Sequence, residues 1–149
     1  MKNIIFLLFI PFISLSQTTK LDETTGFKTY IFGSSANEYK NLILEIDEGI
    51  TKLYSLDQSP GKPENAELEY LRVTFCKDKL SAISLQTKNA SGPKFLQGLK
   101  DTYGEPNINS LKGNYEWRSD KYQLIYENIG SSNDAIVSFY TKKICKNKK

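Results

Sequence analysis

Residues 71–85, LRVTFCKDKLSAISL, decide the fold. Apolar and polar side chains alternate on both sides of a charged centre, which is the pattern of two strands that bury one face. A three-residue turn at the central KDK places Val73 opposite Ile83 and Leu71 opposite Leu85, so both strands send apolar side chains to the same side. A two-residue turn would shift this register by one residue and fits less well. The segment therefore predicts an antiparallel hairpin with one buried face.

Upstream of this hairpin, the spacing of apolar residues predicts a helix over residues 36–47. Ser35 and Glu38 form a capping-box pattern, and the apolar side chains that follow recur at intervals of three and four. Gly49 then offers the left-handed conformation that ends many helices.

Downstream, a second helix is predicted over residues 93–103. Pro93 suits the first helical turn, and Gly104 with the proline that follows it ends the helix. The remaining apolar runs have the β-branched and aromatic content of strands. These runs are residues 27–32, 50–56, 115–118, 121–126 and 135–144.

The predicted fold class is therefore α+β, with two short helices packed on an antiparallel β-sheet. The order of elements also fits a tandem αβββ repeat. A two-residue turn at residues 119–120 would pair Trp117 with Tyr122 and Tyr115 with Leu124. The side chains expected to be mostly buried are Leu42, Ile43, Val73, Phe75, Ile83, Leu96, Leu99, Leu124 and Phe139.

Three short motifs follow this order of elements. FGSS at residues 32–35 leads into the first predicted helix, YGEP at 103–106 ends the second, and YEW at 115–117 opens a strand. This succession resembles small periplasmic proteins with helix-plus-β-meander repeats, such as the beta-lactamase-inhibitor-protein-like fold and the small outer-membrane assembly lipoproteins. The chain differs from the lipoproteins because Gln17 stands where they carry a lipidated cysteine. The resemblance implies binding to other proteins without catalysis.

Residues 1–16 have the layout of a secretory signal peptide. Lys2 precedes a short apolar run, and Ser14 and Ser16 are the small residues expected before a cleavage site at Gln17. The run is shorter than the roughly 20 residues that a membrane span needs, and a buried N-terminal helix is the alternative. We therefore expect a periplasmic or secreted protein without a transmembrane segment in the mature chain.

The mature chain is expected to form a single domain over residues 17–141, followed by a lysine-rich C-terminal tail over residues 142–149. Five lysines lie in this tail, so the overall positive charge is a property of the tail and not of the domain. Arginine occurs only at positions 72 and 118, which leaves few of the bidentate contacts that nucleic-acid binding favours. We expect no nucleic-acid partner.

Composition also restricts the chemistry. The chain contains no histidine, which excludes Ser-His-Asp and Cys-His catalysis and histidine-based metal sites. The sequence shows no phosphate-binding glycine pattern, no nucleophile elbow and no regular series of calcium ligands. We therefore expect no cofactor, no metal and no enzymatic activity.

Two candidate features remain. Trp117, Tyr115 and Tyr122 form an aromatic cluster that fits either a partner-binding surface or the core beneath the second helix. Cys76 and Cys145 fit either a disulfide, which export would permit, or two free thiols.

The favoured function is that of an exported, non-catalytic domain that binds another protein or an envelope component. The alternative is a small hydrolase that acts on envelope glycans through two carboxylates, which needs no histidine. An acidic pair facing across a pocket would favour the hydrolase, whereas an exposed aromatic patch without such a pocket would favour the binding domain.

Overall fold

A computed structural model describes residues 20–56, 67–109 and 113–145 of the chain. The predicted signal peptide, the proline-rich stretch at residues 57–66 and residues 146–149 of the lysine tail lie outside the described residues. The described part contains ten strands and one α-helix. The elements are β1 (Gly26–Phe27), β2 (Tyr30–Ile31), β3 (Leu42–Glu48), β4 (Thr51–Leu56), β5 (Glu67–Cys76), β6 (Lys79–Lys88), α1 (Gly92–Tyr103), β7 (Ile108–Asn109), β8 (Tyr115–Arg118), β9 (Tyr122–Ile129) and β10 (Asp134–Thr141).

Eight of these strands form one antiparallel sheet in the order β3-β4-β5-β6-β10-β9-β8-β7, and β1 pairs with β2 in a small separate hairpin. One face of the large sheet is covered by α1 and by the N-terminal segment, residues 20–33. Phe95 and Leu99 of the helix and Leu21 of the segment belong to the same buried core as the strand residues. The core is closely packed. Helix and sheet side chains enclose a void of only about 10 Å³ between them.

The predicted hairpin is present and its register is correct. Val73 lies opposite Ile83 and Leu71 opposite Leu85. The turn, however, contains two residues, Lys77 and its neighbour at position 78, both in the left-handed region. A β-bulge farther along β6 restores the register that the shorter turn would have shifted.

The prediction of an α+β fold with two helices on a sheet is wrong, because the described residues are mostly β and contain a single helix. Residues 36–47 are not helical. The Ser35 N–H donates to the Glu38 carboxylate at 2.7 Å, as a capping box requires, but the element it begins is only a 3-10 turn at Ala36–Glu38. Asn41 then adopts a φ of +69°, which turns the chain into β3. The tandem αβββ repeat is excluded along with this helix.

The second helix is confirmed, since α1 matches the predicted span to one residue. Six of the side chains expected in the core are buried there, whereas Leu42 and Leu96 are half-buried and Ile43 is exposed. The predicted strand at 27–32 is instead the β1–β2 hairpin, and the last strand ends at Thr141.

Candidate functional site

The aromatic side chains that the sequence offered as partner-binding residues lie on the covered face of the sheet. Trp117 is only 2 % exposed, and its indole Nε1 donates to the Gly104 carbonyl at the end of α1, 2.7 Å away. Tyr115 is half-buried beside Tyr126, with the ring centres 5.9 Å apart. Trp117 therefore cannot touch a partner in the folded protein.

Tyr122 belongs to the same interior. Its ring lies 5.4 Å from Phe32 and 5.9 Å from Phe139, between the N-terminal segment and the sheet. The expected two-residue turn is also wrong. Trp117 pairs with Leu124, and three residues, 119–121, connect β8 to β9, with the Ser119 N–H donating to the Tyr122 carbonyl across them. Trp117 therefore belongs to the core, and Tyr115 and Tyr122 pack against it.

Cys76 and Cys145 are joined by a disulfide, with Cα atoms 6.0 Å apart. Cys76 is buried at the end of β5, and Cys145 follows the last strand. The bond ties the C-terminal segment to the middle of the sheet. Nearby, Lys142 from the start of the predicted tail donates through Nζ to the Ser119 carbonyl. A disulfide of this kind is typical of oxidising compartments and is compatible with an exported protein.

The largest group of exposed apolar side chains lies at the opposite end of the sheet. We name as the edge surface four aliphatic residues of β3 and of the turn that follows it. They are Ile43, Leu44, Ile46 and Ile50, and their exposed fractions are 55 %, 48 %, 48 % and 59 %. Isolated exposed aliphatics are ordinary, whereas four within eight residues are a local concentration of apolar surface of the kind found at interaction sites.

The edge surface is exposed because of its place in the sheet. β3 is the last strand, with β4 on one side and no neighbour among the described strands on the other. The residues of the large sheet that line the core void with α1 belong to β6, β9 and β10, which lie away from β3. The strand register places Leu44 opposite Tyr54 and Ile46 opposite Leu53, so aliphatic side chains project on both faces of β3.

The hairpin that presents the edge surface has a tight turn. Gly49 has a φ of +72°, which a two-residue hairpin turn of type II′ requires at its first central position. Asp47 accepts a hydrogen bond from the Gly49 N–H at 2.9 Å and lies 3.3 Å from the ammonium of Lys52. The backbone N–H first and then Lys52 lower the pKa of Asp47, because both favour the charged carboxylate.

A second ion pair fastens the middle of β3 to the sheet. Arg72 of β5 reaches Glu45, with Nε 2.9 Å from a carboxylate oxygen, and its guanidinium stacks on the ring of Tyr70. Ser55 of β4 lies between the two strands, opposite Arg72 in the register. This small side chain leaves room for the arginine to cross β4.

The edge surface continues onto the face of the sheet that α1 does not cover. From Ile46 the register leads across Leu53, Thr74 and Ala82 to Tyr140, which is itself 40 % exposed. Small side chains occupy the middle of this row. This row is therefore low in its centre and higher at Ile46 and Tyr140.

A cleft of about 400 Å³ opens beside the turn of this hairpin. Tyr54 and Phe75 meet edge to face at 5.5 Å in its wall, and Ile50 lies on its rim. Asp78 is the single carboxylate among the described residues that line it, and its Oδ2 accepts a hydrogen bond from Ser35 at 2.6 Å. The cleft thus lacks, within the described part of the chain, the facing acidic pair that the glycan hydrolase hypothesis requires.

No group of three or more acidic or cysteine side chains among the described residues is arranged to hold a metal ion. None of the helices in the described ranges has the length and apolar character needed to cross a membrane.

Comparison of the chain with protein-family models, with curated proteins and with solved structures finds no match. The case for function therefore depends on the geometry of the surface itself. The sequence did contain a signal for that surface. Gly49 suits the first position of a two-residue hairpin turn, and the isoleucines on both sides of it have high β propensity.

Proposed function

We propose that this protein is an exported, non-catalytic domain that binds another protein through the edge surface. The observation that carries the proposal is the concentration of four half-exposed aliphatic side chains on the free edge of a sheet whose core is otherwise closely packed. Apolar surface of this kind gains free energy when it is removed from water, at roughly 25 cal/mol per Å².

The position of the surface also supports protein binding. It lies on a hairpin whose two strands are linked by the Asp47–Lys52 ion pair and which the Glu45–Arg72 ion pair attaches to β5. A rigid surface loses little conformational entropy when it binds, so more of the apolar contact contributes to affinity. The aliphatic side chains replace Trp117, Tyr115 and Tyr122 as the proposed contact residues.

Export remains part of the proposal. It is supported by the signal-peptide layout of residues 1–16 and by the Cys76–Cys145 disulfide. The partner is accordingly expected in the cell envelope or the secreted space.

A co-purification experiment tests the proposal. The tagged protein is isolated from its native envelope and medium, and captured proteins are identified by mass spectrometry. We expect a partner that wild type captures and that Ile43→Ser with Ile46→Ser loses. Ile108→Ser is the matched control, because Ile108 is also an exposed isoleucine on an edge strand, at the other end of the sheet.

The outcomes separate clearly if each variant is first shown to be folded by its circular dichroism spectrum. Loss of the partner in the double variant and retention in the control would support the edge surface. Equal capture by wild type and the double variant would place the contact elsewhere and contradict the proposal.

A further inference from the structure

The two edges of the large sheet are protected differently. Within the described residues β7 contains two, Ile108–Asn109, and so short an edge offers little backbone for pairing. β3 contains seven residues, Leu42–Glu48, and forms a ladder with β4 on one side only among the described strands. Each strand residue directs its backbone polar groups to one side or the other, so β3 presents along its outer edge a row of N–H and C=O groups with which no described strand pairs.

The charges on β3 restrict what can pair with it. All three charged side chains of the strand are acidic: Glu45, Asp47 and Glu48. Glu45 and Asp47 form ion pairs with Arg72 and Lys52 of neighbouring strands, so the strand and these two cations together carry one net negative charge. Pairing β3 with β3 of a second copy in full antiparallel overlap would place Glu45 opposite Glu45 and bring six carboxylates into one ribbon. Like charges directly opposite each other destabilise a strand pair, so the strand favours a partner that carries positive charge.

We infer that β3 binds an extended segment of a partner protein, one that combines aliphatic with lysine or arginine side chains, as an additional strand of the sheet. The inference rests on the proposed function and specifies its occupant. Backbone hydrogen bonds to the outer edge of β3 would supply affinity, and the side-chain pattern would supply specificity. The aliphatic side chains would pack on Ile43, Leu44 and Ile46, and the basic ones would approach the three carboxylates.

The β-bulge of β3 defines how the segment would lie. The register of β3 against β4 shifts between Leu44 and Ile46, so Glu45 is the extra residue. A bulge interrupts a ladder locally, and the added strand would therefore pair with Leu42–Leu44 and Ile46–Glu48 as two short stretches. The first stretch is aliphatic and is followed by Glu45, and the second contains Ile46 together with Asp47 and Glu48.

Synthetic peptides test the inference directly. The first is a labelled ten-residue peptide that contains valine and lysine in equal number. The second has glutamate in place of every lysine. The third keeps the lysines but carries N-methyl groups on two adjacent central amides. Adjacent N–H groups point to opposite edges, so the double methylation impairs pairing along both. Fluorescence anisotropy with the purified protein measures each affinity.

We expect the lysine peptide to bind and each of the other two to bind about tenfold more weakly or worse. In a second arm, Glu45→Lys with Glu48→Lys should reverse the preference between the lysine and glutamate peptides. A folding defect cannot produce a reversal, so this result would support the inference even if the variant lost some stability. Ile108→Ser, at the other edge, should leave all affinities unchanged.

Three results would overturn the inference. In the first, the methylated peptide binds as well as its parent. In the second, the protein does not bind the lysine peptide, although the co-purification still shows a partner that Ile43→Ser with Ile46→Ser loses. In both cases the proposed function would stand and strand addition would be wrong. Sedimentation velocity could instead show a dimer that Glu45→Lys with Glu48→Lys alters and Ile108→Ser leaves intact, which would identify the occupant as a second copy.

Discussion

The two ends of the large sheet contain comparable apolar sequences and bury them very differently. In β8 and β9, Trp117 and Leu124 are almost inaccessible, whereas in β3 and its turn Ile46 and Ile50 are about half exposed. The difference in burial does not come from the apolar content of the strands. α1 and the N-terminal segment cover the first region, and nothing among the described residues covers the second to the same extent. Burial in this fold is therefore decided by what packs on the sheet, and the uncovered end is the one available for binding.

The strongest test of this contrast is Trp117→Ala. The substitution removes the largest side chain of the covered region and leaves the Gly104 carbonyl without its indole donor. We expect a loss of about 4 to 5 kcal/mol in the free energy of unfolding, since large-to-small changes at aromatic core positions cost about 3 to 5 kcal/mol. Urea unfolding measures it. A loss below about 1 kcal/mol would show that the covered region is not the core.

The disulfide connects the two regions, because β5 leads through β4 to the edge surface and Cys145 follows the strand that pairs with β9. The two cysteines are 69 residues apart. In the chain-entropy account, Cys76→Ser with Cys145→Ser should lower the free energy of unfolding by about 4 kcal/mol.

Thiol titration of unreduced, denatured wild type provides the control for this variant and should detect no free thiol. Two titratable thiols, or a double variant as stable as wild type, would contradict the prediction.

The hairpin of β5 and β6 could be predicted from sequence because its evidence is local. Alternation places Val73 and Ile83 on one face whatever the rest of the chain does, and the register was correct even though the turn was one residue shorter than expected. The bulge in β6 compensates for that residue. α1 was equally predictable, since Pro93 and Gly104 mark its ends in the sequence.

The end with the edge surface could not be predicted in the same way. Leu42, Ile43 and Ile46 have helical spacing, but with Leu44 they also fit a strand interrupted at Glu45, and a capping box cannot distinguish a 3-10 turn from the start of a long helix. For the aromatic residues, alternation does not say which face α1 will cover. That choice depends on contacts distant in sequence, which is why Trp117 could be weighed as core or surface but not decided.

A smaller effect is expected where the sheet is uncovered. Ile43→Ser with Ile46→Ser should change the free energy of unfolding by less than about 1 kcal/mol, because both side chains are already about half exposed. Ile83→Ser is the matched substitution in the covered region and should cost several times more, since it buries a hydroxyl and leaves a cavity. Similar losses for the two variants, measured by urea unfolding, would remove the distinction between the regions.

The smallest expected effect concerns the Asp47 carboxylate, which accepts a hydrogen bond at the turn between β3 and β4. Folding lowers the pKa of Asp47 from its ordinary value of 3.8, chiefly through the Gly49 N–H and then through Lys52. A carboxyl with a lowered pKa stabilises the folded state above its ordinary value, and this contribution disappears as the pH falls through the lowered value. Stability should therefore decline less steeply below about pH 4 in Asp47→Asn than in wild type.

The Gly49 amide provides a local measurement of the same equilibrium, because its N–H donates to the carboxylate that titrates. In an NMR titration of wild type its chemical shift should move with a midpoint below 3.8, and the movement should vanish in Asp47→Asn. Asp22, whose pKa is lowered chiefly by a hydrogen bond from Ser119, should titrate unchanged in that variant, since it lies at the other end of the sheet. A midpoint for Gly49 at or above 3.8 would mean that this turn is open in solution, and the rigid presentation of the edge surface would lose its basis.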